Sequence, residues 1–141
     1  MTTDVFGEPI QYNPLENFKI FENHVADTLK SRHGDIKEQW TLSVDKPSGK
    51  AHVIDSIIPS TGTLIECKLQ NTGGTAEEKI DYTMRCLQYA IDKSKGIYKR
   101  ALIIMAGNAW TFQQDIIDTC EKMFPDVEIL IWEEDKELLS V

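Results

Sequence analysis

The sequence is poor in cysteine, with only Cys67, Cys86 and Cys120 in 141 residues, each inside an apolar pattern. An odd count with no CxxC and no Cys/His spacing argues against a disulfide scaffold and a zinc site. It fits reduced core thiols of a cytoplasmic protein. No apolar run approaches the ~18 residues a membrane helix needs, so no membrane partner is expected. The opening Met1-Thr2-Thr3-Asp4 lacks the basic flank and apolar core of a signal peptide. Positive charge is also short: 15 Lys and Arg face 23 Asp and Glu, a net charge of −8. A basic nucleic-acid coat is excluded, although a local basic patch can work on an acidic protein. Internal repeats and low-complexity stretches are absent, and the length suits one domain.

What is present is an ordinary globular balance, 41% hydrophobic and 27% charged. Residues 1–13 carry no periodicity and read as a tail or arm. The spacing predicts a first helix from Pro14 to Arg32, capped by Asn13, with Leu15, Phe18, Val25 and Leu29 on its buried stripe. Three strands follow, over 39–44, 51–58 and 63–70, divided by the turn signals Asp45–Lys50 and Pro59–Gly62. A break at Asn71–Gly74 precedes a helix over 75–94, whose start carries the capping pattern Thr75/Glu78. A strand over 100–106, a helix over 109–124 and a strand over 127–132 complete a core spanning 14–132. The acidic end, 133–141, is expected at the surface. The fold class is therefore α/β: a single mixed β-sheet flanked by helices, an αβββαβ core followed by a further helix and strand.

The hairpin 51–70 carries the chemistry. A turn centred on Ser60-Thr61 pairs Asp55 with Glu66, Ile57 with Leu64 and Val53 with Lys68. Alternation then points Asp55, Glu66 and Lys68 to one face. Two facing carboxylates among apolar neighbours repel, and burial raises the cost. A divalent cation relieves it, and hard oxygen ligands suit Mg²⁺. Lys68 adds a cation able to orient a water or hold a phosphate. A surface salt-bridge cluster is the bland reading of the same residues.

Asp55, a ten-residue gap and then Glu66-Cys67-Lys68, on the second and third strands of an αβββαβ core, resemble the PD-(D/E)XK nuclease superfamily. The tripeptide pattern also occurs at Asp35–Lys37, Glu77–Lys79 and Glu134–Lys136. Only the match at 66–68 ends an apolar strand that faces an acid and precedes a helix. Ile54 stands where the family often has proline.

The resemblance implies a restriction endonuclease-like fold and an Mg²⁺-dependent DNA endonuclease of restriction, homing or junction and repair type, with Mn²⁺ as substitute. It implies DNA as partner and a homodimer or higher homo-oligomer. The alternative is an inactive nuclease-like module that binds nucleic acid or protein. Asp55, Glu66 and the backbone carbonyl of Cys67 become metal ligands, and Lys68 the catalytic lysine. Glu22, on the first helix's stripe, takes the place of a further acid, unless it sits at the stripe's edge and reaches solvent. Gln70, Lys79 and Tyr82 are weaker candidates for phosphate or DNA contacts, as are Lys46 and Lys50 beside the hairpin tip. Lys79 equally suits pairing with neighbouring acids. Trp110 and Phe112 suit base stacking, core or a subunit contact. His52 shares parity with Ile54, which places it opposite the acids in a structural role. Lys93, Lys95, Lys99 and Arg100 form a basic cluster that suits a solvated helix end.

Overall fold

Two asparagines compete to start the first helix, and the later one wins. Asn17 accepts from the Ile20 N–H at 2.9 Å and caps helix α1, Phe18–His33. Asn13, the expected cap, instead closes a turn by accepting from Leu15 at 3.0 Å. The helix therefore starts one turn later than the expected Pro14, and Phe18 lies exposed at the rim rather than on the stripe. The buried stripe is Phe21, Glu22, Val25, Ala26 and Leu29, and Gly34 ends the helix at φ 80°.

The computed structural model describes residues 12–71, 79–107 and 114–141. Strand β1 is Lys37–Thr41, β2 Val53–Ile58 and β3 Thr63–Leu69. Helix α2 is described over Ile80–Lys93, strand β4 is Arg100–Ala106, helix α3 is described over Gln114–Met123, and β5 is Val127–Ile131. The expected break at Gly73-Gly74, the Thr75/Glu78 cap, the start of the third helix, and Trp110 and Phe112 lie outside the described residues, as do residues 1–11.

The five strands form one mixed sheet in the order β1-β2-β3-β4-β5. β1, β2 and β3 run antiparallel, while β3, β4 and β5 are parallel. β4 is buried along nearly its whole length, which suits a strand covered on both faces. On one face Phe21, Val25 and Leu29 of α1 pack with Ile58, Ile65, Cys67, Leu102 and Ile104. On the other, Met84 and Leu87 of α2 and Ile117 of α3 pack with Ile57, Leu64 and Ile103. The acidic end is exposed at Glu133, Glu134 and Asp135. It then turns back as a 3-10 helix, Asp135–Ser140, that buries Leu138 against the α1 face.

The β2–β3 turn fixes the register on which the acids depend. Ile57 pairs with Leu64 and Ile58 with Thr63. Gly62 closes the turn at φ 69°, donates to Ile58 at 2.9 Å, and accepts from Lys99 at 2.8 Å. A Cβ there would meet the Ile97 carbonyl oxygen at 2.6 Å, a backbone atom that cannot yield. Gly62→Ala should therefore cost about 2 kcal/mol. Chemical denaturation should show a lower midpoint with an unchanged slope.

Candidate active site

The antiparallel ladder between β2 and β3 stops at Ser56–Ile65, and beyond it side chains replace main chain. The Cys67 N–H donates to Asp55 Oδ2 at 2.7 Å, and the Asp55 N–H donates to Glu66 Oε1 at 3.3 Å. The expected Asp55–Glu66 juxtaposition is thus made through side chains rather than as a ladder pair, and Val53–Lys68 is not among the paired residues. In an extended strand a residue's N–H and C=O face the same edge. The Cys67 carbonyl therefore opens onto the gap that holds Asp55. The Cys67 side chain points the other way, into the α1 core.

Both carboxyls titrate above the usual range. Burial comes first for Glu66, followed by the neighbouring Asp55 charge; together they push it up to about 8, against a smaller pull from Lys68. Asp55 is raised by burial, opposed by the Cys67 N–H and by Lys68. Lys68 Nζ lies 3.9 Å from Glu66 Oε2, with the lysine side chain 27% exposed and the glutamate 12%.

Glu22 is brought to this pair from α1. It is only 2% exposed, so the solvent-reaching alternative does not hold. Burial raises its pKa, and Asp55 is the next cause, which places the two carboxyls within electrostatic reach. Lys19 approaches Glu22 at 3.9 Å, one turn earlier on the helix. The Gln39 side-chain amide donates to Glu22 Oε1, and its nearness to Asp55 works to lower that carboxyl's pKa. Nothing in the composition or motif pattern marks Gln39. Its place follows from the β1–β2 register, in which Glu38–Ser56 and Trp40–Ile54 bracket Gln39 and Asp55.

On the α2 side, Lys46, His52, Val53, Glu66, Lys68, Tyr82, Thr83 and Cys86 line a cavity of about 110 Å³. Lys46 and Tyr82 thus lie on the same cavity wall as Glu66 and Lys68. His52 joins it too, against the expectation that it lies on the opposite face. Strict alternation fails at Asp55: Ile54 and Ile57, of opposite parity, pack into the same core cluster. His52 is 4% exposed, and burial, then Lys46, lowers its pKa to about 4, so it is neutral.

Other candidates fall outside this group. Lys50 and Lys79 are exposed and line no part of the cavity. Gln70 is buried just past β3, its N–H donating to Ala106 at 3.1 Å. Exposed Lys93, Lys95 and Lys99 precede Arg100, which pairs with Thr63 at the far end of β3 from the acids. A larger hollow of about 380 Å³ lies beside Trp40, Ile57 and Tyr98, and no carboxylate, lysine or histidine lines it. Convergent chemistry, not volume, marks the site.

Among the described residues, no group of three or more acid, histidine or cysteine side chains is arranged to hold a metal ion. The donor set that fits a hard cation is smaller: the Asp55 and Glu66 carboxylates and the Cys67 carbonyl. Their fit rests on their chemistry and placement: oxygen donors only, two of them carboxylates drawn together through the Cys67 and Asp55 N–H groups and largely out of water, so that a cation placed between them offsets repulsion and burial cost together.

Comparison with curated proteins and with solved structures gives no match. The model of the PD-(D/E)XK nuclease superfamily domain matches residues 16–129. That span runs from the turn before α1 into β5 and takes in Glu22, Asp55, Glu66 and Lys68. With the mixed five-stranded sheet and the parted β2–β3 hairpin, it shows that the chain belongs to the PD-(D/E)XK nuclease superfamily.

Proposed function

We propose that the protein is a metal-dependent DNA endonuclease. The observation that carries this reading is the buried Asp55–Glu66 pair with Lys68 at 3.9 Å from Glu66, an arrangement that is costly without a cation. Asp55, Glu66 and the Cys67 carbonyl would hold Mg²⁺, with Mn²⁺ as substitute. The ion, when bound, offsets negative charge on the phosphodiester as water attacks in line. Lys68 orients that water and favours its deprotonated form. Glu22 holds a proton or a water at the edge of the site. Lys46 and Tyr82 flank the cavity where a phosphate oxygen would arrive. A chain of net charge −8 gains DNA affinity by pooling its basic patches, so a homodimer or higher homo-oligomer is part of the reading. The same negative charge favours the rival reading, a nuclease-like module that binds without cutting.

Supercoiled plasmid distinguishes the two. With millimolar Mg²⁺ the protein should nick or linearise it. Glu66→Gln should lose at least about 100-fold in cleavage while keeping its fold. It should bind DNA in EDTA at least as well as wild type, and better above about pH 8, where metal-free Glu66 ionises and repels phosphate. Wild-type cleavage by Glu66→Gln would remove the assignment.

Stability follows with a definite sign. Glu66 binds its proton more tightly folded than unfolded, from an ordinary 4.5 to about 8. Its stabilising contribution is therefore complete at low pH and is lost as pH rises through that window. The melting temperature of metal-free protein should fall from about pH 5 to about pH 8, and the fall should be smaller in Glu66→Gln. Millimolar Mg²⁺ should raise the melting temperature most at the alkaline end. Equal melting curves with and without Mg²⁺ at pH 8 would contradict the metal site.

Glu22→Gln should reduce cleavage at least about tenfold, equivalent to about 1.4 kcal/mol of transition-state stabilisation. Metal-free stability should hold or rise, because a buried charge that raises its neighbour's pKa is removed. Exposed Glu16, ahead of α1, is the control, and Glu16→Gln should cleave like wild type.

A further inference from the structure

Gln39 sits in the middle of β1 with φ 47°, in the left-handed region that a non-glycine residue rarely enters. The residues around it keep ladder pairing with β2, so the twist is confined to the one residue opposite Asp55. Neither its exposed position nor a turn requires this conformation. What the conformation achieves is to aim the amide at Glu22, which is buried and accepts from it, while Gln39 stands opposite Asp55 in the register and helps to hold that carboxyl's pKa down. A local conformational cost that delivers a side chain to two carboxylates is the pattern expected of a functional constraint.

A primary amide carries two N–H donors, enough for one to each carboxylate. That is the position, between two acids, that a bridging cation would otherwise occupy. The third acid is thereby tied to a neutral donor.

We propose that Gln39 is a positioning residue whose amide ties Glu22 to Asp55 in place of a second cation, so that the site takes a single divalent ion, on Asp55 and Glu66. This rests on the reading of that pair as a metal site. Glu22 then acts from outside the ion's ligand shell, and its geometry is set before metal or DNA arrives.

The test counts Mn²⁺ ions bound by the full chain, by calorimetric titration and by the electron paramagnetic resonance signal of free Mn²⁺. Wild type should bind one ion per chain. Gln39→Gly removes the amide and accepts the positive φ without strain; because buried Glu22 loses its donor, the metal-free melting temperature should fall, and Mn²⁺ should raise it by more than it raises wild type. It should bind two ions, the second between the freed Glu22 and Asp55. Gln39→Asn tolerates a positive φ and keeps an amide, but one methylene too short to bridge both acids; it too should bind two. Two ions on wild type would overturn the proposal and leave the metal site standing. One ion on both variants, with unchanged affinity, would overturn it in the same way. No Mn²⁺ on wild type would remove the metal site itself, and the proposal with it.

Discussion

Two carboxylates held side by side and largely out of water are the constraint around which this molecule is arranged. Asp55 and Glu66 repel each other, and both resist ionisation because burial strips their hydration. An ordinary antiparallel pair would place two acids opposite each other with nothing to absorb the cost. Here the ladder parts after Ser56–Ile65, and the carboxylates accept from main-chain N–H groups that the missing ladder bonds leave available. Lys68 and Gln39 supply further donors or charge. The compensation is partial, and it is this residue of unfavourable charge that a cation can use.

Such a site needs stiff walls, and the rest of the sheet provides them. β3 is held on its other edge by seven consecutive parallel pairings with β4, from Thr63–Arg100 to Leu69–Ala106. Glu66 and Lys68 are therefore fixed from the side away from the gap. α1 is clamped from both ends. Phe21, Val25 and Leu29 lie on the sheet, while Arg32 donates to the Leu138 carbonyl at 2.8 Å and His24 meets Asp135 at 2.8 Å. Glu22 cannot leave the site without moving a helix that is packed along its length. A buried acid on an apolar stripe is expensive, and the packing of its neighbours is what retains it.

Strand β4 was legible to the residue, because a run such as Ala101–Ala106 admits only a doubly covered strand at that length. The Ile57–Leu64 register was legible too, since Pro59–Gly62 is short enough to fix the pairing. The first hairpin was not. Its turn, Asp45–Lys50, is long and closes with the Lys46 N–H donating to the Lys50 carbonyl and the Lys46 carbonyl accepting from the Gly49 N–H, so several registers satisfy the same pattern. Without that register nothing places Gln39 opposite Asp55, and a left-handed glutamine leaves no composition signal as glycine or asparagine would. His52 was misplaced for a related reason. Alternation is a rule for regular strands, and the irregularity at Asp55 that creates the site also breaks the rule. The helix start failed on a competition between two capping asparagines that spacing alone does not rank.

The charge of the whole chain and the charge of the site pull in the same direction. At −8 the surface repels phosphate at long range, and three carboxyls at the site would repel it at contact. Protonation of Glu66 near neutrality removes part of that repulsion, and burial, which raises the Glu22 pKa, works in the same direction. A bound cation would remove more, because it ionises Glu66 and outweighs it at the point where a phosphate oxygen lands. Lys46 and Lys68, on the cavity wall, are the fixed positive charges that remain. Under the proposed function, approach of a polyanion would be coupled to occupation of the acid pair: metal and phosphate would each lower the cost of binding the other, by thermodynamic reciprocity. On an acidic protein that coupling would do what a basic coat does elsewhere, and under the proposed function it would confine strong binding to the acid pair.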